Sequence, residues 1–170
     1  MVKSKFLPMA NPDVGNAEAQ AAYKVIKSGW ISMGLKVQEF EKKIANFVGS
    51  KYAVAVNNGT AALHLAIIAS SVEEGDEVLI PDITFASTAK VILYQKAIPV
   101  LVECEPNTFN ISLSDAEKKI TKKTKAIISV DMNGMPVDYD KIIKFSKKFK
   151  LQFISDSAES FGSTYKNKKI

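Results

Sequence analysis

The chain has 170 residues and a formal net charge of +5. Hydrophobic residues make up 46% and charged ones 24%, a globular balance that excludes wholesale disorder. The length suits one domain, or one domain and a fragment, with chain enough to bury a core.

No apolar run approaches the ~18 residues of a membrane span. Residues 1–8 hold two lysines and no long apolar stretch, so they do not read as a secretory signal. Every one of the 23 basic residues is lysine. Without the bidentate fork of arginine, nucleic acid is a poor candidate partner. The lysine pairs at 118–119, 122–123 and 147–148 sit on or beside amphipathic patterns and read as solvated helix faces. Cys104 is the only cysteine, so no internal disulfide forms and the chain reads as cytoplasmic.

In chain order, a helix is predicted over 16–28, with Ala19, Ala22, Val25 and Ile26 on one face and Gly29 as its stop. A second covers 37–48, with Val37, Phe40 and Ile44 on one side and Gly49 ending it. Residues 52–56 form a short apolar run of buried-strand type. Residues 60–71 are apolar nearly all round, the pattern of a buried helix. A strand over 77–80 stops at Pro81, a helix comes next over 86–95, and a third strand spans 99–104. Ser112 to Asp115 resembles a capping box opening a helix to Ile120. A strand over 125–130, a helix over 138–148 and a strand over 151–154 complete the series. Strands alternating with helices specify an α/β fold with a mainly parallel sheet.

Ligands bind such sheets at the carboxyl ends of the strands, and three segments there carry chemistry. Asn58, Gly59, Thr60 and Ala61 lie between the first apolar run and the buried helix. A glycine admits close backbone approach, a helix start offers free N–H groups to an anion, and Thr60 adds a hydroxyl. The same residues also suit a plain strand–helix turn with a side-chain cap. Phe85, after the second strand, suits stacking on a flat ring or packing into the core. Asp156 comes directly after the apolar strand that ends in Phe153 and Ile154. A carboxylate at that depth needs a cation or several donors, or else serves as the N-cap of the next element. His64, the only histidine, lies inside an apolar helix and reads as a core residue with satisfied nitrogens. No second histidine or cysteine cluster offers a metal-ligand set, and a Ser-His-Asp arrangement would want the histidine on a loop.

Taken together, the motifs Ser28-Gly-Trp-Ile-Ser-Met-Gly34, Val37-Gln-Glu-Phe-Glu41, Phe47-Val-Gly-Ser-Lys-Tyr-Ala-Val54, Asn58-Gly-Thr-Ala-Ala-Leu-His-Leu65, Gly75-Asp-Glu-Val78, Pro81-Asp-Ile-Thr-Phe85, Thr124-Lys-Ala-Ile-Ile128, Asp156-Ser-Ala-Glu-Ser-Phe-Gly162 and Tyr165-Lys166 resemble the DegT/DnrJ/StrS family of nucleotide-sugar aminotransferases. The resemblance covers nearly the whole chain and rests on the order and spacing of the motifs. It implies the large domain of the pyridoxal-phosphate-dependent transferases of aspartate-aminotransferase type. It implies that Asn58, Gly59, Thr60 and Ala61 hold the cofactor phosphate, that Phe85 stacks on the pyridine ring, and that Asp156 pairs with the ring nitrogen. Glu159 then lies near the cofactor's 3-oxygen, where glutamine or histidine is also common. An ionised glutamate cannot donate there, so Glu159 either carries a proton or turns elsewhere. Asp131-Met-Asn-Gly134 departs from a more usual His-x-Tyr-Gly and is given no role.

The family's Schiff-base lysine, further phosphate contacts and the smaller domain lie beyond residue 170. By resemblance, residues 1–170 are the N-terminal part of the large domain, and this stretch alone is expected to be inactive. The implied reaction moves an amino group, from glutamate, to a nucleotide-linked keto sugar in surface-polysaccharide or glycan biosynthesis, within a homodimer. Alternatives are a sugar dehydratase of the same family, a non-catalytic truncated relic, and a nucleotide-binding domain using the Asn58–Thr60 turn.

Overall fold

A computed structural model describes residues 11–170; residues 1–8, which do not read as a secretory signal, lie outside that description. Helices α1 (Asn16–Lys27), α2 (Leu35–Val48) and α3 (Gly59–Ala69) come first. Strand β1 (Glu77–Pro81), helix α4 (Ser87–Tyr94) and strand β2 (Ile98–Val102) are next. Then come α5 (Leu113–Lys119), β3 (Thr124–Val130), α6 (Tyr139–Phe149) and β4 (Gln152–Asp156). A short antiparallel hairpin, β5 (Thr164–Tyr165) with β6 (Lys168–Lys169), lies near the end and has no counterpart among the predicted elements.

The sheet runs β2-β1-β3-β4 with every pair parallel. Helices cover both faces, so the middle strands must be apolar on both sides. Val78, Leu79, Ile80, Ala126, Ile127 and Ile128 are accordingly all fully buried. On one face Leu63 and Ile67 of α3 and Val91 and Ile92 of α4 pack against Val78, Ile80, Ala126, Ile128 and Ile154. On the other, Ala116 of α5 and Ile142 and Phe145 of α6 pack against Leu79, Val102 and Ile127. Pro99 sits on β2, the edge strand, where a missing N–H costs least. The Lys119 ammonium donates to the Leu101 carbonyl on that edge at 2.8 Å.

Several expectations are corrected. Residues 52–56 form no strand: Tyr52 is 74% and Val54 76% exposed. The run is extended chain, tied to α2 by the Ala55 N–H donating to the Glu41 carboxylate at 2.8 Å. An apolar run becomes a buried strand only where another strand lies alongside, and none does among the described residues. Helix α3 is not buried all round: Leu63 and Ile67 are covered, whereas Leu65 and Ile68 are about half exposed, because α4 and the sheet meet one face only. Ser112 does cap α5 in position, but there is no capping box. Its hydroxyl pairs with that of Ser114, and the Asp115 carboxylate takes the Glu103 N–H and the Lys119 ammonium instead. The strand predicted over 99–104 ends at Val102, and Cys104 makes only an isolated bridge to Ile111. Pro81 lies inside β1 and Asp156 is the last residue of β4 rather than the first beyond it.

Candidate functional site

Parallel strands place their carboxyl ends on one edge of the sheet. Pro81, Val102, Val130 and Asp156 end the four strands there. The loop from Pro81 into α4 carries Phe85, which is 76% exposed. Among the described residues Phe85 is therefore free of the core. The Phe85 carbonyl accepts from the Thr88 N–H at 3.0 Å, and the hydroxyls of Thr84 and Thr88 pair at 2.8 Å. These contacts pin the loop to the first turn of α4, where Thr88 is fully buried.

Asp156 stands on the next-but-one strand of the same edge. Its register partner is Val130. The Ala158 N–H donates to its Oδ1 at 3.3 Å. Burial raises its pKa above the usual aspartate value of 3.8, partly offset by the Ala158 N–H and the nearby Thr88 hydroxyl, and the charges of Asp131 and Glu159 add to the rise. No lysine forms an ion pair with it among the described residues. A half-buried acid with like-charged neighbours is a receptor for a protonated, cationic group.

Helix α3 packs on α4 and touches β4. Asn58 is the N-cap, and its side chain accepts the Ala61 N–H at 2.9 Å. The N–H groups of Gly59 and Thr60 precede any intrahelical acceptor. A Cβ built on Gly59 would meet nothing within 4 Å, so open space lies against this helix start. An apolar cleft of about 560 Å³ opens beside it, lined in part by Phe40, Ile44, Val54 and Phe161.

Glu159 is turned toward the backbone. Its Oε2 accepts the Asn133 N–H at 2.6 Å, so the carboxylate is an acceptor there. His64 is half-buried on α3, bonded through Nε2 to the Gln95 amide at 2.7 Å and edge-on to Tyr94. No group of histidine, cysteine or acidic residues suited to a metal occurs among the described residues.

One residue of this region has no role in the sequence reading. Asp131 is fully buried and accepts four hydrogen bonds, from the Val137 N–H, the Tyr139 phenol and the hydroxyls of Ser157 and Ser160. Burial pushes the Tyr139 phenol upward and keeps it a donor. The signal was available in the sequence: like Asp156, Asp131 is a carboxylate at the end of an apolar strand.

The profile of the DegT/DnrJ/EryC1/StrS aminotransferase family matches residues 12–170. The chain belongs to that family. Within the family it is 41% identical over 167 residues to GDP-perosamine synthase of Escherichia coli O157:H7, a match covering 98% of this chain and 46% of the relative. It is 41% identical over 168 residues to the spore coat polysaccharide biosynthesis protein SpsC of Bacillus subtilis, covering 99% and 43%. The chain therefore spans less than half the length of these curated relatives. Among solved structures, the aminotransferase of Psychrobacter cryohalolentis superposes with a TM-score of 0.91 at 33% identity, over 96% of this chain and 42% of that one. A sugar aminotransferase of Streptococcus pneumoniae, described in PLP and PMP forms, superposes equally well, with a TM-score of 0.90 at 33% identity for the PLP form, over 96% and 45%. A GDP-4-keto-6-deoxymannose-3-dehydratase trapped with PLP and glutamate matches at 0.87 and 29%, over 96% and 44%. The fold is thus that of the matching part of the PLP-dependent sugar aminotransferases, a parallel sheet flanked by helices.

Proposed function

We propose that residues 1–170 form the N-terminal part of the cofactor-binding domain of an aminotransferase that aminates a nucleotide-linked keto sugar for a surface polysaccharide or glycan. The observation that carries this reading is the shared edge of the sheet. It carries both an exposed aromatic, Phe85, and a half-buried acid with a raised pKa, Asp156, while α3, which packs on α4 and touches β4, has open space in front of its start. The cofactor is pyridoxal phosphate, and the donor set fits its three chemically distinct parts.

The N–H groups of Gly59 and Thr60, the Thr60 hydroxyl and the positive end of α3 suit a dianionic phosphate, with Asn58 and Ala61 fixing the turn. Phe85 offers its face to a pyridine ring. Asp156 holds the proton of the ring nitrogen, because a carboxylate beside that nitrogen favours its charged form. When bound, the cofactor accepts an amino group and stores electrons from the substrate carbon. Glu159, held as an acceptor by Asn133, orders the border of the site near the cofactor's 3-oxygen and supplies no proton to it. The lysine that would join the cofactor, the smaller domain and a second copy of the protein lie outside these residues in this proposal, so the stretch alone does not transaminate. A cytoplasmic location accords with the nucleotide-sugar substrate.

The test is a product analysis on the protein carrying this chain, loaded with pyridoxal phosphate and given glutamate and a nucleotide-linked keto sugar. An amine in place of the carbonyl, with 2-oxoglutarate released, is expected. A deoxygenated sugar would establish the dehydratase of the same family instead, which the resemblance to the dehydratase structure makes the second reading.

A further inference from the structure

Two turns are joined at the edge of the sheet beside the proposed cofactor site. One is residues 131–134, after β3, and the other residues 157–163, after β4. The Asp131 N–H donates to the Asp156 carbonyl at 3.1 Å and the Asn133 N–H to the Glu159 carboxylate at 2.6 Å. The Ser163 hydroxyl donates to the Gly134 carbonyl at 3.1 Å. Gly134 has φ +77°, and a Cβ there would lie 3.3 Å from the Glu159 carbonyl, so the turns touch closely.

At the centre is the Asp131 side chain. Its Oδ2 takes the Tyr139 phenol at 2.8 Å, the Ser160 hydroxyl at 2.8 Å and the Ser157 hydroxyl at 3.0 Å. Its Oδ1 takes the Val137 N–H at 2.9 Å. A buried carboxylate is stable only when such donors replace water. The donors also require a carboxylate: asparagine would turn two of its own N–H donors toward them, and a histidine ring offers at most one acceptor. Tyr139 is placed for this by its own neighbours, with the Ser155 hydroxyl 2.7 Å from its oxygen and Phe153 and Tyr165 against its ring. Aspartate at 131, tyrosine at 139 and serines at 157 and 160 therefore form one interdependent set.

We propose that Asp131 is a positioning residue: by gathering Ser157 and Ser160 onto one carboxylate oxygen, it fixes the turn that aims Asp156 at the cofactor and keeps Glu159 on the Asn133 N–H. Ser157 comes directly after Asp156 and Ser160 directly after Glu159, so neither acid can shift while both serines are held. The proposal rests on the cofactor reading for the consequence of this order, but the order itself is independent of it.

The test compares the protein with its Asp131→Asn and Ser160→Ala variants by two measurements. Hydrogen exchange is followed at the amides of 157–163 and of β3. Pyridoxamine phosphate, which has no aldehyde to label surface lysines, is titrated against each protein while the pH midpoint of the bound ring's absorption is recorded. In Asp131→Asn, exchange in the turn should rise by about tenfold or more with β3 unchanged, which is the size of effect a lost charged hydrogen bond gives. The bound-ring midpoint should also move toward that of the free compound. Ser160→Ala, the milder change, should move both readouts the same way by less. Unchanged exchange in the turn, or exchange raised equally throughout β3, overturns the proposal. So does faster exchange with an unmoved ring midpoint. If the unaltered protein does not bind pyridoxamine phosphate, the cofactor reading fails separately, and the exchange pattern alone decides the role of Asp131.

Discussion

Burial makes Asp156 bind its proton more tightly than aspartate in an unfolded chain does, and this fixes the sign of its effect on stability. Its folded pKa is raised, so the folded state gains stability from the proton below pH 3.8 and loses it as pH rises through the folded value. At neutral pH the ionised, partly desolvated side chain is a burden on the ligand-free protein. Asp156→Asn should therefore melt higher than the unaltered chain at pH 7, with the difference closing below pH 3.8; thermal melts across that range check it. Thr60 offers the opposite case, a residue whose hydroxyl serves a ligand in the proposed function. Thr60→Val should leave the melting temperature nearly unchanged and weaken pyridoxamine phosphate by roughly tenfold or more, since a hydrogen bond to a charged group is worth ~1.5–3 kcal/mol. Asp156 and Phe85 were legible as candidates because each stands out at a strand end. Their exposure was not, because sequence does not tell whether a ring at a loop mouth faces inward or outward.

Elements whose period and stop signals agree were readable from the chain alone. Helix α2 ends where Gly49 takes φ +72°, and α6 begins where Asp138 accepts the Lys141 N–H. Misread elements are those whose state depends on a neighbour: residues 52–56 need a strand beside them, α3 needs cover on its second face, and the Asp115 carboxylate is drawn to Glu103 across the loop. Asp138 also ties α6 to the hairpin by accepting the Tyr165 phenol at 2.9 Å. Asp138→Ala should cost about 1 kcal/mol, a typical N-cap loss, in a urea titration. Hydrogen bonds from Lys141 and Tyr165 hold its pKa down at about 2. That contribution should thus be present above pH 3.8 and disappear as pH falls toward 2. In the middle of the sheet, Ile127→Ala should cost ~2–5 kcal/mol, because the fully buried side chain leaves a cavity that the strands on either side cannot close.

Across the whole molecule, the cover is uneven. The sheet is closed by helices on both faces, but α1 has no buried residue, and Trp30, Ile31, Met33 and Leu35 beyond it are all well exposed. So much contiguous apolar surface drives association in water. Residues 1–170 alone should self-associate and bind an apolar dye; light scattering showing a monodisperse monomer without dye binding would contradict this. In the proposed function the described residues furnish one wall of the cofactor site, at the sheet edge. That wall can be tested directly by titrating the isotope-labelled chain with millimolar pyridoxamine phosphate and following its amide resonances. Saturable shifts concentrated at Gly59, Thr60, Ala61, Phe85 and Ala158 are predicted. No shifts at that concentration, or shifts scattered over the lysine-rich helix faces, would contradict the assignment of this edge as the cofactor site.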